Sequence, residues 1–235
     1  MRFLKNPLHD YPNPPTKRKR SDPRSSSSPA SSRTLLIPLT TDQLPLRYRI
    51  LKRSFDVIVS SLILILILSW LLPLLAIING LMGNFPAFFI QNRVGIDNRQ
   101  FKCYKLRTMP QDRPRVISKW SEILRRHKLD ELPQFINVLK GEMSIVGPRP
   151  HMLSDHEVFS QAVGRQYFDR HLVLPGITGL AQVEGFEGPV QSMEDLNGRI
   201  RCDLIYINRW SLWLDIKIVS RTLLLMSKGL MKNAR

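Results

Sequence analysis

Two adjacent carboxylates, Asp130 and Glu131, lie near the start of the stretch LDELPQFINVLKGEMSIVGPRP (residues 129–150), and Arg125, Arg126 and Lys128 precede them. An Asp-Glu doublet on a surface helix is ordinarily solvated charge. Here three cations crowd it, and Pro133 falls in the first turn of the helix the doublet would open, a position that tolerates proline. Amides at a helix N-terminus attract phosphate, and Mg²⁺ takes one or two carboxylates while phosphate oxygens and water complete its shell. One carboxylate of such a pair can also attack phosphorus and form an acyl phosphate. Pro148-Arg149-Pro150 is the second element. Its prolines fix φ and remove amides, so the loop is stiff and Arg149 loses little entropy on binding. The planar guanidinium suits bidentate phosphate recognition, the bland alternative being a rigid turn with a solvated arginine. The chemistry these residues point to is phosphoryl transfer.

Two other classes compete. His151 and Asp155 are four residues apart with His156 beside them, a spacing that on a helix would let them share a metal in a metal-dependent hydrolase. A third ligand and a defined zinc motif are missing. A non-catalytic membrane- or nucleic-acid-binding module would explain the net charge of +16, but there is no helix-turn-helix signature or aromatic-basic groove pattern, so no nucleic-acid partner is expected.

The elements that must position the carboxylates follow from pattern. Residues 87–91 and 101–106 read as short strands joined by a turn at Gly95-Ile96-Asp97-Asn98. Residues 118–128 have helical periodicity, with Trp120, Ile123 and Leu124 on one face, and 131–140 read as a second helix ended by Gly141. Residues 143–146 are extended and run into the Pro-Arg-Pro loop. Pro175-Gly176-Ile177-Thr178-Gly179 reads only as a tight turn. Residues 198–231 alternate apolar and basic side chains at helical spacing, with Tyr206, Trp210 and Trp213 interleaved. Ser211 is placed to cap the last helix, with Asp215 in its first turn. Mixed aromatic and basic faces of this kind suit a membrane headgroup layer.

Residues 1–45 contain Lys17-Arg18-Lys19-Arg20, a serine run and many prolines. Such a segment has too few apolar side chains to offset the entropy of ordering, so a disordered tail that tethers to anionic lipid is expected. Val57 to Gly83 contains no charged residue and is long enough to cross a hydrocarbon layer. Pro73 lies well inside it with Ser69 a turn earlier, which bends a helix. Basic residues flank both ends (Arg47 to Arg53, then Arg93 to Arg107), and the positive-inside tendency wants both flanks in the cytoplasm. A re-entrant helix satisfies both constraints better than a spanning one. Cys103 and Cys202 lack metal-ligand spacing and read as reduced, buried thiols. The expected fold class is α+β. It comprises a tail (1–45), a re-entrant membrane helix (46–84) and a small mixed catalytic domain with amphipathic interfacial helices (85–235).

Five segments, KRSFDV (52–57), RVGIDNRQFKCYKLRTM (93–109), LDELPQFINVLKGEMSIVGPRP (129–150), PGITGLAQV (175–183) and DLIYINRWSLWLDIKI (203–218), occur in this order. Together they resemble the bacterial sugar transferase family, the monotopic polyprenol-phosphate phosphoglycosyl transferases, over about residues 47–230. The likeness is greatest to the undecaprenyl-phosphate glucose or galactose phosphotransferases of exopolysaccharide synthesis. The resemblance implies that Asp130 is the nucleophile, attacking the β-phosphate of a UDP-sugar, releasing UMP and holding a covalent phosphosugar. It implies that Glu131 serves Mg²⁺ binding and attack by the polyprenol phosphate, and that both carboxylates contact the metal. It further implies that Arg125 and Arg149, with Pro148 and Pro150, surround the phosphates. Ser69 and Pro73 fall where the family breaks its membrane helix, although the family often has the two adjacent. The segment between Met109 and Leu129 is shorter than in many members. Larger members carry extra N-terminal membrane helices and a soluble domain, neither of which is expected here. The implied partners are a UDP-sugar, undecaprenyl phosphate and membrane lipids, at the cytoplasmic face of the bacterial inner membrane.

Overall fold

The computed structural model describes residues 46–109 and 118–227; the tail expected over residues 1–45 lies outside them. Leu46–Leu81 is one continuous helical stretch. It comprises α1 (Leu46–Ile63), a π-helical turn (Leu64–Leu68) and α2 (Ser69–Leu81). The helix does not stop at the expected break. Ser69 follows the π turn with helical φ and ψ, its hydroxyl donates to the Ile65 carbonyl at 2.7 Å, and Pro73 lies exposed within α2. The departure from α geometry is the π turn itself, where an extra residue per turn disturbs the hydrogen-bond ladder.

Both ends of this helix are fastened to the same folded body. Near the start, Lys52 Nζ donates to the Val146 carbonyl (3.0 Å) and Asp215 (2.8 Å). Arg53 donates to the carbonyls of Val138 (2.6 Å) and Leu139 (2.8 Å), and Asp56 accepts from Ser144 Oγ and the Ile145 amide, each at 3.0 Å. Near the end, Leu75 packs with Leu106 and Leu124, and Asn79 donates to the carbonyls of Arg107 (2.7 Å) and Ala87 (3.2 Å). Buried positions along the helix are Asp56, Ser60, Leu68, Leu72, Leu75 and Asn79, a stripe of helical spacing. The other faces stay apolar and uncovered: Ile58, Leu62, Ile65, Leu66, Trp70 and Ile77 are all more than half exposed. Only 17% of its most apolar window is buried, whereas the core helix of a soluble protein is mostly buried. The protein is therefore membrane-associated.

The body is α+β. Strands β1 (Phe88–Val94) and β2 (Gln100–Leu106) form an antiparallel hairpin with Phe88 opposite Leu106 and Val94 opposite Gln100. A 3-10 turn (Ile96–Asn98) joins them, with Asp97 and Asn98 at positive φ, a conformation these two residue types tolerate. Helix α3 (Lys119–Arg126) is capped by Ser118, whose side chain accepts from the Ser121 amide, and ends in Arg125 and Arg126. Helix α4 (Gln134–Lys140) ends at Gly141, φ +80°. Strand β3 (Ser144–Val146) follows, then α5 (Leu153–Val163), α6 (Arg165–Asp169), β4 (Gly176–Thr178) and α7 (Leu180–Val183). Helices α8 (Met193–Asn208) and α9 (Leu212–Ser227) close the described chain, and Ser211 Oγ accepts from the Leu214 amide as the sequence predicts. Along α9, Trp213, Leu223 and Leu224 are more than half exposed, and Lys217 stacks over Trp213. Cys103 and Cys202 are buried free thiols.

Two elements differ from the sequence reading. The Pro175–Gly179 segment is more than a turn: β4 pairs parallel with β3, Ser144 opposite Gly176 and Val146 opposite Thr178. Any Cβ at Gly176 would collide with the backbone of Gly147, so glycine is required for this approach. The helix expected over 131–140 begins three residues late. Pro133 has no N–H to bond the Leu129 carbonyl, so residues 129–136 tighten into i→i+3 bonds, including Glu131 N to Lys128 O and Ile136 N to Pro133 O, both at 3.1 Å.

Candidate active site

Asp130 and Glu131 sit on a 3-10 turn, Leu129–Glu131, entered through Lys128 in the left-handed conformation at φ 56°. That conformation costs a non-glycine residue on the order of 1–2 kcal/mol. The Lys128 ammonium pairs with buried Glu187, which holds the strained residue in place from the loop after α7. Leu129 and Leu132, on either side of the carboxylates, pack against the cluster of Leu75, Leu106 and Leu124. The membrane helix thus braces the turn that carries the acids.

The two carboxylates have opposite environments. Glu131 is 6% exposed and held at both oxygens: Arg149 Nη2 reaches Oε1 at 2.6 Å, Arg149 Nη1 reaches Oε2 at 3.3 Å, and Lys105 Nζ reaches Oε1 at 2.9 Å. Burial disfavours its charge, yet Arg149, Lys105 and Lys128 together hold its carboxyl well below the usual range. Glu131 in turn keeps the buried Arg149 guanidinium firmly charged. Asp130 has no hydrogen-bond partner among the described residues. Burial, and then the negative Glu131 beside it, push its carboxyl up to about 6, against the pull of Lys105, Lys128 and Arg149.

Arg149 is held by the backbone of its own loop. Four successive carbonyls are gripped: Pro148 by the Gly176 amide (2.9 Å), Arg149 by Arg170 Nη2 (2.7 Å), Pro150 by Arg93 Nη1 (2.9 Å), and His151 by the Val94 amide (3.1 Å). Pro148 and Pro150 therefore act through rigidity. A small pocket beside Arg149 is rimmed by Arg93, Lys105 and Arg149, with Cys103, Gln134 and Pro150, a lining suited to an anion. A larger apolar cavity of about 440 Å³ lies at the start of α1, among Tyr48, Val173, Leu174 and Trp210, and touches neither carboxylate.

The structure gathers Asp130, Glu131 and Arg149 as the sequence predicts. Arg125 lies at the end of α3, and its Nε donates to Thr108 Oγ1 at 2.9 Å. Lys105 and Lys128 join Arg149 as cations acting on both carboxylates. Lys105 was legible in part, because it shares a strand face with buried Cys103, and a lysine on a buried face needs an anion. The arrangement of His151, Asp155 and His156 does not form a metal site. His151 precedes α5 instead of lying on it, and its Nδ1 is taken up by Tyr167 Oη (2.9 Å) and Arg170 Nη1 (2.8 Å). Among the described residues no group of three or more His, Cys, Asp or Glu is arranged to hold a metal ion.

A Mg²⁺ ion delivered with a diphosphate fits the donors present. Asp130 offers an unengaged carboxylate, and Glu131 Oε2 has spare acceptor capacity; hard cations of this size need only one or two protein carboxylates when phosphates supply the rest.

The whole described arrangement falls inside a family match. The family model described as bacterial sugar transferase matches residues 47–229. The chain is 43% identical over 199 residues to the UDP-glucose:undecaprenyl-phosphate glucose-1-phosphate transferase of Escherichia coli K12, covering 80% of this chain and 42% of that protein. It is 42% identical to the undecaprenyl-phosphate glucose phosphotransferase of Komagataeibacter xylinus, covering 73% and 35%. It is 41% identical to a UDP-glucose:undecaprenyl-phosphate glucose-1-phosphate transferase of Caulobacter vibrioides, covering 73% and 67%. The chain spans about two fifths of the length of the E. coli relative. With a family match across nearly all of the described residues, the chain belongs to the bacterial sugar transferases.

Proposed function

We propose that this chain transfers a hexose 1-phosphate from a UDP-sugar to undecaprenyl phosphate, the initiating step of exopolysaccharide synthesis, through a phosphosugar held on Asp130. The observation that carries this reading is the contrast within the carboxylate pair. Glu131 is held by Arg149 and Lys105, while Asp130 is half-buried beside the same cations with no hydrogen-bond partner among the described residues. Such a carboxylate is not tied to a partner and is free to attack phosphorus.

In the first step an Asp130 oxygen attacks the β-phosphorus of the donor. The new bond is carboxylate O–P, the bond broken is the anhydride P–O, and UMP leaves with the electron pair. In the second step an oxygen of the polyprenyl phosphate attacks the same phosphorus, which releases the carboxylate and leaves a polyprenyl diphosphate sugar. Arg149 and Lys105 face the phosphates as these charges shift, and Glu131 keeps both cations in place so that no reorganisation is needed. Mg²⁺, when bound to Asp130 and Glu131 with the donor phosphates, supplies neutralisation of the negative reactants.

A lipid acceptor requires the site to lie at the headgroup plane. Both ends of the 46–81 helix fasten to the body that carries Asp130, which supports a re-entrant segment immersed from the cytoplasmic side. Phe85, Phe88 and Ile90, exposed beside the helix end, and Trp213 on α9 extend the apolar rim. The test uses the full chain in membranes with Mg²⁺, undecaprenyl phosphate and a panel of UDP-sugars beginning with UDP-glucose. Release of UMP and labelled lipid is expected. Asp130→Asn is expected to show neither, and continued turnover by that variant would reject the nucleophile.

A further inference from the structure

Arg170 is 1% exposed, so no substrate reaches it, yet its guanidinium is spent on the back of the phosphate-binding loop. It lies on a 3-10 turn after α6, and its Nε donates to Asp203 Oδ2 on α8 at 2.9 Å, with Nη2 2.8 Å from the same oxygen. Nη2 also donates to the Arg149 carbonyl at 2.7 Å, and Nη1 donates to His151 Nδ1 at 2.8 Å. Tyr167 Oη lies 2.9 Å from the same ring nitrogen. With two donors converging on Nδ1, the ring proton belongs on Nε2. Burial, and then the neighbouring Arg170, keep His151 neutral well into the acid range, so this acceptor persists.

We infer that Arg170, anchored by Asp203, is the positioning residue that aims the Arg149 side chain at the phosphates. The inference rests on reading Arg149 as the phosphate-binding arginine. The carbonyl contact fixes the peptide at Arg149 itself, and the His151 contact fixes the residue after Pro150. Between two such points, with φ fixed at both prolines and Arg149 restricted by the proline after it, the loop has few backbone dihedrals through which Arg149 can swing. A buried arginine is costly unless its donors are satisfied. Here Asp203 balances the charge, two further contacts reach the loop at the Arg149 carbonyl and His151, and the guanidinium also faces the Tyr167 ring on α6. A purely structural pairing of α8 with the turn would need the Asp203 contact alone.

The test is a double-mutant cycle on the full-length protein in detergent or membranes, with thermal melting recorded for every variant. Arg170→Lys keeps the charge and loses the fork. In the wild-type background it is expected to lower kcat/KM for the donor by about tenfold or more, and in an Arg149→Lys background by less than about twofold, because the side chain being aimed has already lost its own fork. Equal fold losses in the two backgrounds overturn the inference and leave Arg149 standing. Full activity in Arg149→Lys and in Arg149→Ala instead rejects the reading of Arg149. Should Arg170→Lys fail to fold, Asp203→Asn, which preserves shape and one acceptor, takes its place in the same cycle. Should Arg149→Lys fall below detection, the cycle is read as the fold-change in Kd for UDP measured by calorimetry, with the same two outcomes.

Discussion

Arg149 grips Glu131 with both arms of its guanidinium, at 2.6 Å and 3.3 Å, while Asp130, one residue earlier, has no hydrogen-bond partner among the described residues. Two neighbouring carboxyls are thereby driven apart in acidity, one kept ionised by its partners and one made harder to ionise by burial and by its neighbour's charge. The division matches the proposed roles, in which Glu131 organises the cations and Asp130 is the nucleophile.

The pH dependence follows from that division. In the proposed reaction Asp130 attacks as the anion, and its carboxyl is pushed up to about 6, so the reactive form is present above that value and lost as pH falls through it. The kcat/KM for the donor, which reports free enzyme, should fall by about tenfold per pH unit below roughly pH 6. Glu131 stays ionised across this range, so a single titration is expected. A profile that stays level down to pH 5 would contradict the assignment.

Glu131→Gln tests the coupling between the pair. The neutral amide removes the negative neighbour that raises Asp130, so the acid limb of the profile should move to lower pH. Rate should fall at the same time, by about 10²–10³-fold, since Arg149 and Lys105 lose the anion that holds them in preorganised positions. A variant with reduced rate but an unmoved acid limb would show that the two carboxyls do not sense each other.

Much of this was readable from residue order alone, and the exceptions have physical causes. The hairpin and its turn were legible because strand alternation and the Gly95–Asn98 signal are local, and the Ser211 cap because it is a one-turn motif. Asp130, Glu131 and Arg149 were legible through charge density and the rigid prolines. The β3–β4 pairing was hidden because it joins segments about 30 residues apart through glycines whose need appears only when two backbones meet. Lys105 carried only a weak signal, because its pairing with Glu131 joins a strand to a turn 26 residues later. Arg170 carried no local signal at all; its partners Asp203, His151 and the Arg149 carbonyl lie on different elements.

Asn79 should be the stability determinant of the helix-to-body junction. It is fully buried, donates to the carbonyls of Ala87 and Arg107, and accepts from Asn84 (3.0 Å) and Trp120 (3.3 Å). Asn79→Ala takes the partner of the Arg107 carbonyl and of Trp120 Nε1 and one of two from the Ala87 carbonyl and Asn84 Nδ2, for an expected loss of about 2–4 kcal/mol. Thermal or denaturant unfolding in detergent would register this as a lower midpoint. A change of less than about 0.5 kcal/mol, the ordinary surface range, would show that the junction does not depend on it.

The membrane disposition can be decided with two exposed positions that flank the apolar helix. Arg47 precedes the apolar stretch and Arg99 follows it on the hairpin, and both side chains are exposed. The native thiols Cys103 and Cys202 are buried, so added cysteines should dominate labelling. Because Lys52, Arg53 and Asp56 at one end and Asn79 at the other all bind the same body, Arg47→Cys and Arg99→Cys should behave alike toward an impermeant maleimide. Both should stay unlabelled in intact cells with a permeable outer membrane and react once the inner membrane is opened. A crossing helix would put one of the two outside, where it reacts without opening, and that result would defeat the re-entrant disposition while leaving the carboxylate chemistry untouched.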